Sequence, residues 1–198
     1  MASEIEIANS ALRKVGADTI TSFDQGSPSA NFMDDRFDET RNELLRLHYW
    51  NFATKRAQLA RESTAPAFEY TYFYTRPSDW VRTVRAFDND AGTGHFDYRE
   101  ENGKIACNSE QVFLAYIYLC EDPNAMTADF REALAWRLAL DAAPSLANSA
   151  GMFDRMQMGF EAALMAAKSA DALANRSRGL PRGSWVTSRS RSQASWPE

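Results

Sequence analysis

The chain has 198 residues, of which 44% are hydrophobic and 25% charged, and its formal net charge is −5. This length predicts one globular domain with a real core, and no apolar run approaches the ~20 residues that cross a bilayer. Because the N-terminal stretch lacks a basic region with an apolar segment, and Cys107 and Cys120 make no disulfide framework, the composition argues against a secreted or membrane protein. We expect a protein made in the cytoplasm with free thiols.

The charge is unevenly distributed along the chain. Residues 175–198 carry five arginines and one acidic residue, a net charge of +4, which leaves −9 on residues 1–174. An acidic body does not favour DNA binding by itself, because affinity for phosphate comes from clustered Lys and Arg.

The first predicted element is a helix over residues 3–15. Ser3 and Glu6 have the spacing of a capping box, and Gly16 supplies the C-terminal stop. Residues 17–28 follow as a loop with one apolar anchor, Phe23.

A second helix is predicted from about Ser29 to His48. Its apolar stripe comprises Met33, Phe37, Leu44 and Leu47. Its other face carries acidic residues offset by arginines, which is typical of a solvated surface.

The middle of the chain changes to strand-like patterns. Residues 68–75 and 80–87 are rich in β-branched and aromatic residues, and residues 95–108 predict a hairpin that turns at Asn102-Gly103. Residues 111–119 are apolar enough for a central, covered strand. Together they predict one small, mostly antiparallel sheet.

Two further helices are predicted after this region. Thr127 caps a helix that contains Phe130, Leu134 and Leu138 and that bends or ends near Pro144. The last helix spans about residues 150–174, with Phe153, Met156, Phe160, Leu164 and Ala167 on one stripe.

This element order predicts an α+β fold, a four-helix bundle with a central inserted small antiparallel β-sheet and an extended C-terminal tail. The expected divisions are 1–60 for the first two bundle helices and the connection to the sheet, 61–121 for the sheet region, 122–174 for the last two helices, and 175–198 for a flexible basic arm.

Signals for catalysis or metal binding are thin. His48, His95, Cys107 and Cys120 contain no pair at ligand spacing, and the clustered carboxylates alternate with arginines on a polar helix face. Gly92-Thr93-Gly94 lacks the rest of a phosphate-binding motif. We predict no catalytic residue, no metal and no cofactor.

The basic arm admits two interpretations. Its arginines and Trp185 and Trp196 could bind nucleic acid by phosphate contact and stacking, or they could dock in an acidic groove of a protein. Leaving two tryptophans in water forgoes roughly 1.5–3 kcal/mol each, so docking on a protein is favoured.

A family resemblance enters at Arg46-Leu47-His48-Tyr49-Trp50-Asn51-Phe52-Ala53, preceded by Arg41 and followed by Arg56 and Leu59. With Ala11-Leu12, Val15-Gly16 and Ile20 before it, and Phe68, Tyr70, Tyr72, Pro77, Asp79, Trp80 and Arg82 after it, this arrangement resembles the tail tubular protein A family of short-tailed bacteriophages and related head-to-tail adaptors. The resemblance covers roughly residues 3–174.

The resemblance implies a structural protein of the virion neck, made in the host cytoplasm and without enzymatic activity. Such subunits form a twelve-fold ring between the portal protein and the tail nozzle or tail tube, and double-stranded DNA passes through its centre. The portal-binding arm would use Arg176, Arg178, Arg182, Trp185, Arg189, Arg191 and Trp196. The alternatives are a nucleic-acid-binding phage protein that uses this arm, or a cell-wall hydrolase of the tail.

Two roles follow inside the body of the chain. Trp50 and Phe52 would seal the helix–sheet seam, because large aromatics each bury ~150–250 Å². Charged residues around them are candidates for contact with a neighbouring subunit: Arg41, Arg46, Lys55 and Arg56. Acidic residues that face the channel would repel phosphate and let DNA slide.

Overall fold

The computed structural model describes residues 2–146 and 151–174, and within them the fold is α+β, as predicted. The helices are α1 (Glu4–Val15), α2 (Pro28–Arg46), α3 (Ala128–Leu146) and α4 (Met152–Ala174). The strands are β1 (Thr54–Gln58), β2 (Tyr72–Thr75), β3 (Trp80–Phe87), β4 (Tyr98–Glu101), β5 (Lys104–Cys107) and β6 (Phe113–Tyr118). None of these helices combines the length and apolar character needed to cross a membrane.

The ends of the first helix are confirmed in detail. The Ser3 hydroxyl accepts a hydrogen bond from the Glu6 amide at 3.1 Å, and the Glu6 carboxylate accepts one from the Ser3 amide at 3.0 Å. Gly16 ends the helix with φ 75°, a left-handed conformation that glycine adopts without steric cost.

Helix α3 lies at the centre of the helical part and contacts each of the other three helices. Its buried side alternates large apolar residues with alanines, which lets neighbouring helices approach closely: Phe130, Ala133, Leu134, Ala135, Leu138, Ala139, Ala142 and Ala143. The Thr127 hydroxyl accepts from the Phe130 amide at 3.3 Å, so the predicted cap is confirmed. Pro144 lies in the last turn, and the helix is described to Leu146.

The prediction of a single sheet is wrong. Strand order β1-β6-β3 forms one antiparallel sheet, and β2-β5-β4 forms a second. The two sheets enclose a separate apolar cluster, which includes Leu59, Tyr74, Ala86, Ile105, Cys107, Val112, Leu114 and Tyr116. The predicted central position of β6 is confirmed in the first sheet.

Strand boundaries differ from the pattern in two places. β1 (TKRAQ) is missed by sequence patterns because it has no apolar alternation. It is a strand because its backbone pairs with that of β6. The predicted strand over 68–75 is shortened to β2, since Glu69 has φ 71°, outside the extended region. The hairpin turn is confirmed: Asn102 and Gly103 have φ 46° and 75°, as a type I′ turn requires.

Two apolar residues assigned to core stripes lie at the surface. Leu47 is 50% exposed because α2 ends one residue earlier, at Arg46. Phe153, in the first turn of α4, is 46% exposed, whereas Met156 three residues later is buried.

Gly159 marks the closest approach between α3 and α4. A Cβ atom at this position would overlap the Trp136 ring, well inside van der Waals contact. A glycine here therefore lets the indole pack directly against the α4 backbone.

We predict that Gly159→Ala destabilises the protein, although the same change in an open helix gains about 1 kcal/mol. Urea unfolding should show a lower midpoint for Gly159→Ala. In a Trp136→Leu background the same substitution should become neutral or stabilising. Equal effects in both backgrounds would show that the indole does not enforce this glycine.

Candidate functional site

The helix–sheet seam is an aromatic cluster anchored on α3. Trp50 is fully buried, and its indole N–H donates to the Leu44 carbonyl at 3.0 Å. Its ring meets Phe130 edge-on at 5.0 Å between centroids, and the Phe52 ring meets Phe130 at 4.9 Å. The structure thus places both predicted seam residues where the segment leaving α2 crosses onto β1.

The same segment holds the C-terminal part of α4. The Asp171 carboxylate is 5% exposed, accepts from the Asn51 amide at 2.9 Å and lies 3.3 Å from the His48 Nε2 atom. The Asn51 side-chain amide donates to the Asp171 carbonyl at 2.7 Å. We call His48, Asn51 and Asp171 the α4 clasp.

Sequence reasoning misses the clasp because its members are 120 or more residues apart. One signal was available in Ser169-Ala170-Asp171-Ala172-Leu173, where a single acid interrupts an apolar helix. Such an acid is rarely buried unless it is paired. The distance in sequence leaves the partner undetermined.

Arg41, a predicted subunit-interface residue, lies inside the chain. Its side chain is 3% exposed and pairs with Glu4 at 3.3 Å and Asp38 at 3.0 Å. Burial is the largest effect on Glu4 and raises the pKa of this carboxyl, against the opposing effect of Arg41. In the monomer, little of Arg41 remains for contact with another subunit.

Lys55 is exposed but already has partners in the chain. Its ammonium lies 2.8 Å from the Asp79 carboxylate and 3.8 Å from the centre of the Tyr118 ring. Burial alone would raise the pKa of Asp79, but hydrogen bonds from Lys55 and Tyr116 outweigh it and hold the pKa below its usual value. Burial, reinforced by Asp79, raises the pKa of Tyr116 to about 12.

Four arginines form a surface that we call the arginine strip: Arg46, Arg56, Arg82 and Arg85. Arg56 and Arg85 are exposed and pair in register with Ala115, one on each side of it. The Arg82 guanidinium donates to the Arg46 carbonyl at 2.8 Å and to the Tyr49 hydroxyl at 3.1 Å. Within residues 2–146 and 151–174, no member of the strip forms an ion pair with a carboxylate.

The strip includes two predicted interface residues, Arg46 and Arg56, and adds Arg82 and Arg85, which the sequence does not predict at an interface. Arg46 lies at the C-terminal end of α2, where a positive charge is favourable, and donates to the Val81 carbonyl at 3.0 Å. Strand pairing brings the other three alongside it, so only the register of the sheet reveals the surface.

The opposite charge gathers on what we call the acidic face of α2: Asp34, Asp35, Asp38 and Glu39, all of them exposed. Asp38 pairs with Arg41, and Glu39 pairs with Arg36. Asp34 and Asp35 form no ion pair within the described part of the chain. The face therefore keeps a surplus of negative charge.

Helix α4 exposes large apolar side chains along its outer side. Met158, Met165 and Leu173 are 72%, 71% and 87% exposed. The exposed positions between Ala162 and Ala174 carry no charge, because Asp171 is buried in the clasp and Lys168 is only partly exposed. We call this surface the outer face of α4.

A groove of about 440 Å³ lies where α2, α3 and α4 meet. It is lined by Glu43, Leu44, Arg46, Leu47, Arg137 and Phe160. The half-exposed Leu47 forms part of its apolar lining.

The described residues contain no group of three or more side chains that could hold a metal ion. Cys107 and Cys120 are free and buried, and burial raises the pKa of the Cys107 thiol. The predicted portal-binding arm, residues 175–198, lies outside the described residues. Neither known family models nor curated proteins give a match to this chain.

We predict that Trp50→Ala lowers the free energy of unfolding by about 3–5 kcal/mol, since it leaves a cavity among Leu44, Phe52 and Phe130. Urea unfolding measures this loss. Tyr49→Ala is the matched control, because this adjacent ring lies at the surface and should cost about 1 kcal/mol or less. A Trp50→Ala protein as stable as the control would contradict the role of Trp50 in the seam.

We also predict that Asp171→Ala loosens the end of α4, because it removes the acceptor of the Asn51 amide. Amide hydrogen exchange in the last two turns of α4 should accelerate, with an overall loss of about 1–3 kcal/mol. Glu161→Ala, at an exposed position on the same helix, should leave that exchange unchanged. Equal protection in the two variants would show that the clasp does not hold the helix.

Proposed function

We propose that this chain is the subunit of a ring-shaped head-to-tail adaptor of a short-tailed bacteriophage. In this role it is a structural protein of the virion neck, and it binds copies of itself, the portal and the tail nozzle or tail tube. The observation that carries the proposal is the outer face of α4, which nothing in the described chain covers.

Large exposed apolar side chains on one helix mark a surface for another protein. Each one that becomes buried contributes roughly 1.5–3 kcal/mol, so Met158, Met165 and Leu173 together favour association strongly. Residues 175–198, with their arginines and two tryptophans, follow this helix directly. We therefore assign both the outer face of α4 and the arm to docking on the portal.

The resemblance carried by the segment from Arg46 to Ala53 specifies the assembly. The contacts of α3 with the three other helices favour a four-helix bundle, and both sheets are formed by the chain between α2 and α3. This is the architecture that the resemblance implies. In the ring, we assign the bundle and sheets to the wall around the DNA channel.

A ring also requires each subunit to carry two different, complementary surfaces. The arginine strip and the acidic face of α2 supply opposite charges on one chain. Acidic side chains that remain unpaired in the ring would face the channel and repel the phosphates of passing DNA.

A second candidate, nucleic-acid binding, is favoured by one observation. The arginine strip adjoins Tyr49, which is 43% exposed, and arginines beside an aromatic ring are typical of surfaces that bind single strands. This function predicts an affinity for DNA that falls steeply as salt rises.

The test mixes the protein with purified portal rings of the same phage and measures the mass of the complex by sedimentation velocity. The full chain should add about twelve subunits to each portal, as the resemblance implies. Met158→Glu/Met165→Glu should fold normally but bind at least ~10-fold more weakly, because two side chains lose their burial. Deletion of residues 175–198 should also abolish binding.

Gln111→Glu serves as the control, because it adds a negative charge at an exposed position on the connection to β6. Its binding should equal that of the unmodified chain. A full chain that forms no complex with the portal, or whose DNA affinity shows a steep salt dependence in place of portal binding, would overturn the adaptor proposal.

A further inference from the structure

The arginine strip is built by strand register. Arg56 and Arg85 both lie opposite Ala115, so the three residues share one face of the first sheet. Adjacent strands are ~4.8 Å apart, which places the two arginine Cα atoms roughly 10 Å from each other with only a methyl group between them. An α-helix is about as wide as this spacing. A helix that lies along the face between Arg56 and Arg85 therefore brings its side chains within reach of both guanidinium groups.

The strip is positioned but not neutralised. Arg46 and Arg82 donate to backbone carbonyls and to the Tyr49 hydroxyl, contacts that fix the two guanidinium groups in place. A guanidinium has five donors, so most of them remain available to a carboxylate. Fixing these side chains beforehand reduces the entropy lost when a partner binds.

The complementary surface is on the same chain but beyond reach. Asp34 and Asp35 lie in the N-terminal half of α2, and Arg46 lies at its end. Asp35 and Arg46 are separated by eleven positions, or roughly 16 Å along the helix axis at ~1.5 Å per residue. Asp35 therefore cannot reach Arg46 of its own chain.

From these observations we propose that the arginine strip of one copy binds the acidic face of α2 of the next copy. The contact joins two different surfaces, so it repeats head to tail around a ring. This inference rests on the proposed function and names the surfaces by which the subunits meet.

A second copy fits the strip better than DNA does. Residues 1–174 carry a net charge of −9, which repels a polyanion from the body as a whole. The acidic face of a neighbouring α2 instead presents the carboxylates of Asp34 and Asp35 on one helix, where they can meet the arginines. Opposite surfaces of this kind set both the partner and the register of the contact.

The test uses charge reversal. Arg56→Glu/Arg85→Glu reverses the strip, Asp34→Arg/Asp35→Arg reverses the acidic face, and a third chain carries all four changes. The substituted residues are exposed, so all three should melt within a few degrees of the unmodified chain. Self-association is measured by sedimentation velocity at low salt, alone and on portal rings, with Gln111→Glu as the control.

Each reversed pair should weaken self-association at least ~10-fold, because it sets like charges against each other. The two reversed chains mixed together should regain assembly with the two chains in alternation, since each presents both of its surfaces with the charge opposite to that of its neighbour's. The chain with all four changes should regain assembly. Salt should weaken association of the unmodified chain.

Several outcomes would overturn the inference. One is a chain with all four changes that self-associates as weakly as the two reversed chains. Another is an unmodified chain that self-associates neither alone nor on the portal. A third is a strip reversal that leaves self-association unchanged but abolishes binding to a double-stranded oligonucleotide, which would assign the strip to DNA. If every reversed chain still assembles on the portal like the unmodified chain, the proposed contact between copies is wrong and the adaptor proposal stands. If the reversals change self-association as expected but the unmodified chain does not bind the portal, the contact stands and the adaptor proposal is wrong.

Discussion

The fold depends on the burial of Trp50. This side chain is fully enclosed and donates to the carbonyl of Leu44, so it caps the end of α2 while its ring packs on Phe130 of α3. The segment that leaves the helix is therefore held against the helical core before it becomes β1. Since β1 pairs with β6, and β6 with β3, the first sheet is fixed to the helices through this anchor.

The parts of the fold that sequence predicts are those set by local chemistry. The capping box at Ser3, the stop at Gly16 and the turn at Asn102-Gly103 follow from groups within a few residues of one another. The division into two sheets does not, because it depends on pairings such as β1 with β6 between distant segments. β1 itself has no apolar alternation, and its backbone pairing alone makes it a strand.

The candidate site divides in the same way. The burial of Trp50 and Phe52 is predictable, because aromatic residues placed so close together in sequence are rarely stable outside a core. Arg41 looks like a surface cation in a charged helix, yet its own side chain is buried and pairs with Glu4 of α1 and with Asp38. Arg82 and Arg85 acquire a role only when β3 pairs with β6 and brings them beside Arg46 and Arg56.

Asp171 is the residue whose role is hardest to predict from sequence, because its partners lie far away along the chain. The clasp links the anchor to the surface that the proposed function uses. His48 and Asn51 flank Trp50, and both contact Asp171 three residues before the described part of α4 ends. A helix with an exposed apolar face gains nothing from its neighbours on that side, so its last turns would fray without a fixed contact on the other. By burying one carboxylate against the aromatic anchor, the chain holds these turns in place and leaves Met165 and Leu173 facing outward. The last described turns of α4 are thus positioned by the same segment that orients the first sheet.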